Sequence, residues 1–156
     1  MNILGISLGT TTIGVAYLSD RELHAYYTHS FREPWSDQKA DTIIKRIGSY
    51  FTRYHVSIVM VKVPPHTHQP ATIDELLQKL SNFVAIKGCM MDVCTKQDLK
   101  NHIPGAKNHD DVMKFVVNTY PITTTEYARA LKRKNQYHKK VFEAIVAAHV
   151  GKEKGG

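Results

Sequence analysis

A chain of 156 residues that is 42% hydrophobic can bury a proper core, and a single domain over 1–151 is expected, with a flexible tail at 152–156. Its 21 Lys and Arg against 14 Asp and Glu give a formal charge of +7, crowded towards the last third, which points to a polyanionic partner, nucleic acid first. Cys89 and Cys94 alone exclude a disulfide framework or a zinc knuckle, and no apolar run approaches the roughly 20 residues of a membrane span; with no signal-peptide pattern at the N-terminus, a cytoplasmic protein without a membrane partner is expected.

Asn2 to Ser7 and Thr12 to Leu18 read as strands joined by the hairpin turn Leu8-Gly9-Thr10-Thr11, and Glu22 to Phe31 supplies a third strand. Ser36, after Pro34 and Trp35, is a helix N-cap, and Ile43, Ile44, Ile47, Phe51 and Tyr54 follow at helical spacing. Lys45, Arg46 and Arg53 fall away from that stripe. Val56 to Val63 is a β-branched run typical of a strand buried on both faces, ended by Pro64-Pro65. Ile73, Leu76, Leu77, Leu80 and Val84 mark a second helix that closes near Gly88, and Cys89 to Thr95 gives a fifth strand. Asn108 opens a short helix, with Asp111 as an approximate capping box, that halts before Pro121. The last helix is expected from about Tyr137 to Val150. A strand meander followed by alternating helix and strand implies an α/β fold, a mixed five-stranded sheet with helices on both faces.

The opening NILGISLGTTTIGVAY resembles the first strand–turn–strand of RNase H-like nucleases, where the family reads I-L-G-I-D-x-G-T/S. After the N-terminal ILGISLGT, four segments in order resemble the RuvC family of Holliday-junction resolvases. They are the strand IVMVKVPP, the helix, strand and loop LLQKLSNFVAIKGCMMDVCTKQDLKNHI, the segment GAKNHDDVMKFVVNTYP and the terminal KKVFEAIVAAH. Gly9-Thr10-Thr11-Thr12 is also similar to the phosphate loop of the actin and heat-shock ATPases, which need two such domains and an Asp near the first strand. The opening is similar to the YqgF family, whose glycine-containing motif after the fourth strand is not seen in VKVPPHTHQP. The RuvC resemblance implies an RNase H-like fold and a site whose four acids stand at Ser7, Lys62, Lys140 and Glu143. Such sites use two Mg²⁺ ions held by carboxylates to cut phosphodiesters. Here three acids have become one hydroxyl and two ammonium groups, moving the formal side-chain charge from about −4 to about +1.

Lys62 shares a strand face with Ile58 and Met60, where an unpaired ammonium is costly. It is therefore expected to lie in the former cation space and to pair with Glu143 within about 4 Å. No catalytic residue, metal or cofactor is expected, and the implied function is a catalytically inactive RuvC-like protein that binds branched or double-stranded nucleic acid. Phosphate contacts are assigned to Lys107 and His109, the latter standing where the family has Lys, and to Lys132, Arg133, Lys134 and Lys139 of the basic stretch from Arg129 to Lys140. A homodimer is a further implication of the resemblance. The alternatives are a Mg²⁺-dependent junction endonuclease with relocated ligands, such as His138, Glu143 and Asp110 or Asp111, and a protein-interaction scaffold. His66 and His68 fall in a loop.

Overall fold

The structure, a computed structural model, describes residues 1–64, 70–133 and 136–155. Strands β1 (Asn2–Ser7), β2 (Thr12–Ser19) and β3 (Glu22–Ser30) form the expected antiparallel meander. Its β2–β3 turn places Asp20 and Arg21 at φ 52° and 70°, the left-handed region that a tight two-residue connection requires. Helix α1 (Asp37–Arg53) starts where Ser36 Oγ accepts from the Lys39 N–H at 3.0 Å. It leads to β4 (Ile58–Lys62), which lies parallel to β1 with Ser7 opposite Lys62. Helix α2 (Ala71–Ile86) then crosses to β5 (Met90–Cys94), parallel to β4. The sheet order is β3-β2-β1-β4-β5, a mixed sheet of five strands.

Beyond the sheet come α3 (Lys96–Asn101), α4 (His109–Thr119), α5 (Thr124–Arg133) and α6 (Gln136–Gly155). Asn108 caps α4 as expected, accepting from the Asp111 N–H at 2.9 Å, but the Asp111 carboxylate accepts from the Lys107 N–H and not from the cap residue. Helices α3 and α5 go beyond the sequence expectation. The first is too short for a periodic stripe, though its Thr95–Asp98 capping box is written in the sequence. The second sets only Tyr127 and Ala130 against the core, too short an apolar stripe to single out in a basic stretch. The last helix also runs past its expected end at about Val150, because α6 continues to Gly155. Gly151 is buried against Ile3 and Met60, and His149 Nε2 meets Glu153 Oε1 at 3.1 Å one turn on, so this stretch has tertiary reasons to stay helical. His149 Nδ1 also meets the Tyr120 hydroxyl at 2.7 Å, making it a satisfied core histidine.

Alternation along each strand sends its side chains to two separate cores. Leu4, Ile6, Val15, Val59 and Val61 pack with Ile43 and Ile47 of α1 and Leu76 and Leu80 of α2. Ile3, Ala16, Leu18 and Met60 pack on the opposite face with α6, over which α3, α4 and α5 lie. Helix α6 is thus enclosed on all sides, and from Val141 to Gly151 every residue is buried. This explains why its apolar residues encircle it and form no single stripe.

Candidate functional site

Two glycines set how closely α6 approaches the sheet. A Cβ at Gly5 would lie 2.1 Å from the Ala144 carbonyl oxygen, and one at Gly14 would lie 2.1 Å from that of Lys140. Backbone therefore rests on backbone over β1 and β2. The close approach lays the first buried turns of α6 over the ends of β1 and β4, where Ser7 and Lys62 stand side by side. Lys140 and Glu143, three residues apart, share one helix flank.

All four positions that the RuvC resemblance singles out meet there. Lys62 Nζ lies 2.8 Å from Glu143 Oε2, the ion pair expected from the sequence. Ser7 Oγ donates to the other oxygen, Glu143 Oε1, at 3.0 Å. Lys140 Nζ donates to the Leu8 carbonyl at 2.9 Å, beside Gly9. Ser7 is fully buried, and Lys62 and Glu143 are 7% and 8% exposed, so the pair is an interior one that solvent screens little.

The electrostatics follow from this packing. Burial pushes the Glu143 carboxyl up, but Lys62, through charge and hydrogen bond, together with Lys140 and the Ser7 hydroxyl, outweighs it and holds the group below the usual carboxylate range. Burial pushes the Lys140 ammonium down to about 8; Glu143 opposes that shift and Lys62 adds to it. One carboxylate thus faces two ammonium groups, of which Lys140 sheds its proton at about 8 as pH rises.

This donor set does not fit a two-metal centre. Mg²⁺ takes hard oxygen ligands and needs carboxylates to balance its charge, yet the single carboxylate here already has both oxygens engaged. A divalent ion would have to displace the Lys62 ammonium and then sit beside it. Among the described residues, no group of three or more His, Cys, Asp or Glu side chains is placed to hold a metal ion. The relocated set is not assembled among the described residues: His138 Nδ1 lies 3.0 Å from Glu126 Oε1 of α5, Asp111 is engaged at the N-terminus of α4, and Asp110, which lines a cleft with His138, belongs to no group of three such side chains.

Around the buried pair, the expected phosphate-contacting residues separate into two groups. His109 and Lys139 line one cleft of about 280 Å³ with Asn108, Asp110, Met113, Ala130 and His138. His109 is close enough to the site for Glu143 to oppose the downward push that burial exerts on its imidazole, a push reinforced by Lys139 and Lys96. Its Nε2 is buried and has no hydrogen-bond partner among the described residues. Arg133 lines a wider cleft of about 860 Å³ with Arg129, Glu126, Tyr26 and Thr28. Lys107 and Lys132 are exposed on the chain before α4 and on α5, lining neither cleft. Lys134, His66 and His68 lie outside the described residues. The Glu126–His138 contact, with Arg129 Nη1 3.6 Å from Glu126, was not legible in the sequence, because α5 itself was not.

No protein-family model matches the sequence, and no curated protein matches it. Solved structures do. Thermus thermophilus RuvC in complex with a Holliday junction substrate superposes with a TM-score of 0.76 at 16% identity, covering 100% of this chain and 96% of that one. A second structure of Thermus thermophilus RuvC gives 0.74 at 14% identity over 99% and 97% of the two chains. The Fowlpox virus resolvase, in complex with Holliday junction DNA, gives 0.63 at 12% identity over 97% and 99%. At these identities the likeness establishes architecture and leaves chemistry to the residues. The chain has a RuvC-like, RNase H-like resolvase fold.

Proposed function

We propose that this protein binds branched or double-stranded nucleic acid without metal-dependent cleavage, a resolvase fold turned from cutting to holding. The observation that carries the reading is the Lys62–Glu143 ion pair, with Lys140 beside it, at the positions matched to the family's acids. Lysine ammonium groups supply fixed positive charge there, which helps phosphate approach and hinders divalent cations. Nucleic acid as partner is supported by the net charge of +7 and by the cationic residues around the site, Lys139, Arg133 and Arg129 with His109. The junction complexes of the RuvC and Fowlpox structures agree with this reading. The exposed Lys107 and Lys132 add to the positive surface in the proposal, and self-association in the manner implied by the resemblance would double it.

A labelled four-way junction and a matched duplex, titrated with the protein in the presence and absence of Mg²⁺, test this reading. The expected result is binding that needs no metal, weakens as salt rises and leaves the strands intact on a denaturing gel. Lys139→Glu should weaken binding and lower the salt slope by about one phosphate contact. Cleavage in Mg²⁺ or Mn²⁺ that disappears with Glu143→Ala favours the endonuclease with relocated ligands. Failure to bind either probe leaves the protein-interaction scaffold.

A further inference from the structure

Strand β3 is the outer strand of the sheet, and its free edge divides two clefts. Tyr27, 41% exposed, lines both. On the α6 side is the cleft that carries Arg129 and Arg133. On the α1 side is a groove of about 550 Å³ between β3 and α1, lined by Lys45, Arg46, Ser49 and Arg53 with His29 and Tyr50. Lys45, Arg46, Ser49 and Arg53 recur at helical spacing, so they stand on one flank of α1 facing the strand edge.

Solvated helix faces usually intersperse charges of both signs, but here no carboxylate lines the groove. Among the described residues, no acidic group pairs with any of its three cations. Arg46 Nη1 reaches His29 Nδ1 at 3.4 Å, and the other ring nitrogen of His29 is engaged by the Tyr50 hydroxyl, so the guanidinium is held in place without being neutralised. The floor is aromatic: Tyr27 lies 6.2 Å from the His29 ring and 5.8 Å from Tyr50, which stacks at 6.4 Å on Tyr54. Unpaired cations beside an exposed ring are the components that bind phosphate and base together.

We propose that a single strand of nucleic acid runs from Arg129 and Arg133 over Tyr27 at the sheet edge and into the α1 groove. There Lys45, Arg46 and Arg53 take successive phosphates and Tyr27 takes a base on its face. This path rests on the nucleic-acid reading above and adds a second binding surface to it. Geometry selects the single strand. Turning around one sheet edge, over about 10 Å, is far too sharp for duplex DNA with its persistence length of about 50 nm. Only an unpaired base can also stack on a side chain.

Fluorescence anisotropy with labelled oligothymidylate and with a blunt duplex tests the path, using K45Q/R46Q/R53Q and Tyr27→Leu, with Tm measured to show that each variant folds. The expected result is a loss of about tenfold or more in oligothymidylate affinity for the triple variant. Its salt slope should shrink by about 2, the value for three phosphates on a single strand. Tyr27→Leu should lose about tenfold. Duplex affinity should be retained in both. An unchanged oligothymidylate affinity overturns the groove, and so does an equal loss on duplex, which would mark a general charge effect. In either case the function reading stands if Lys139→Glu still weakens duplex binding. A wild-type protein that binds neither probe overturns both.

Discussion

The two faces of one sheet solve the same packing problem in different ways. The α1/α2 face is largely apolar: Leu4, Ile6, Val59 and Val61 meet Ile43, Leu76 and Leu80, and the buried Lys39 at the start of α1 turns its ammonium to the Glu33 carbonyl. The α6 face, built from the alternate residues of the same strands, buries Ser7, Lys62 and Glu143 under a helix held at backbone contact by Gly5 and Gly14. An interior ion pair is rarely a better source of stability than a well-packed apolar pair, because desolvation offsets most of its attraction. The difference marks the α6 face as the candidate site, because there the fold tolerates a cost.

The largest test of this contrast is Lys62→Met, which leaves Glu143 buried without its partner and should cost about 3–5 kcal/mol in urea denaturation. The double variant Lys62→Met/Glu143→Leu should recover most of that loss. Next comes Gly14→Ala, whose Cβ would lie 2.1 Å from the Lys140 carbonyl oxygen, so α6 must lift; about 1–3 kcal/mol or more is expected. The α1/α2 face offers the control. Gly48→Ala would lie 2.9 Å from the end of the Phe83 ring, a side chain that can turn aside, and it should be close to neutral since alanine favours the helix. On the same face Ile6→Val should cost only about 0.5–1.5 kcal/mol, with no change in pH dependence.

pH sharpens the comparison without any substitution in the apolar core. An unfolded lysine keeps its proton to about 10.4, whereas folded Lys140 releases it near about 8. Between these values the unfolded chain binds more protons, so stability should rise with pH from about 8 to about 10. Above that, Tyr50 and Tyr120, whose hydroxyls burial pushes up, act in the opposite direction. Calorimetric Tm across this range should show the rise in the wild type and lose it in Lys140→Met. Glu143, held below its usual range, contributes stability near neutrality that is lost as pH falls through its folded value, and Glu143→Gln should remove that loss.

Much of this architecture is legible in the chain because the strands alternate cleanly and the caps at Ser36 and Asn108 mark real helix starts. The Lys62–Glu143 pair is legible for a different reason: a lysine at the end of a buried apolar strand demands a carboxylate, and Glu143 is the one acid kept among the four positions that the RuvC resemblance singles out. What could not be read depends on tertiary context. Nothing local says that Gly5 and Gly14 bring a helix onto the sheet. A helix such as α5, whose apolar face is only Tyr127 and Ala130 in a basic stretch, gives too short a stripe to single out, and so Glu126 and His138 could not be matched from sequence. The stripe of Lys45, Arg46 and Arg53 was visible as a helix flank, but only the fold shows that Tyr27 and the sheet edge stand opposite it.

The central claim is that Lys62 and Lys140 take the place that carboxylate-bound cations hold in a two-metal site. Isothermal titration of the wild-type protein with Mn²⁺ tests it most directly, with Glu143→Ala as the reference. The expected result is no saturable binding that distinguishes the two proteins. Saturable Mn²⁺ binding in the wild type that vanishes in Glu143→Ala would contradict it and return the site to metal chemistry.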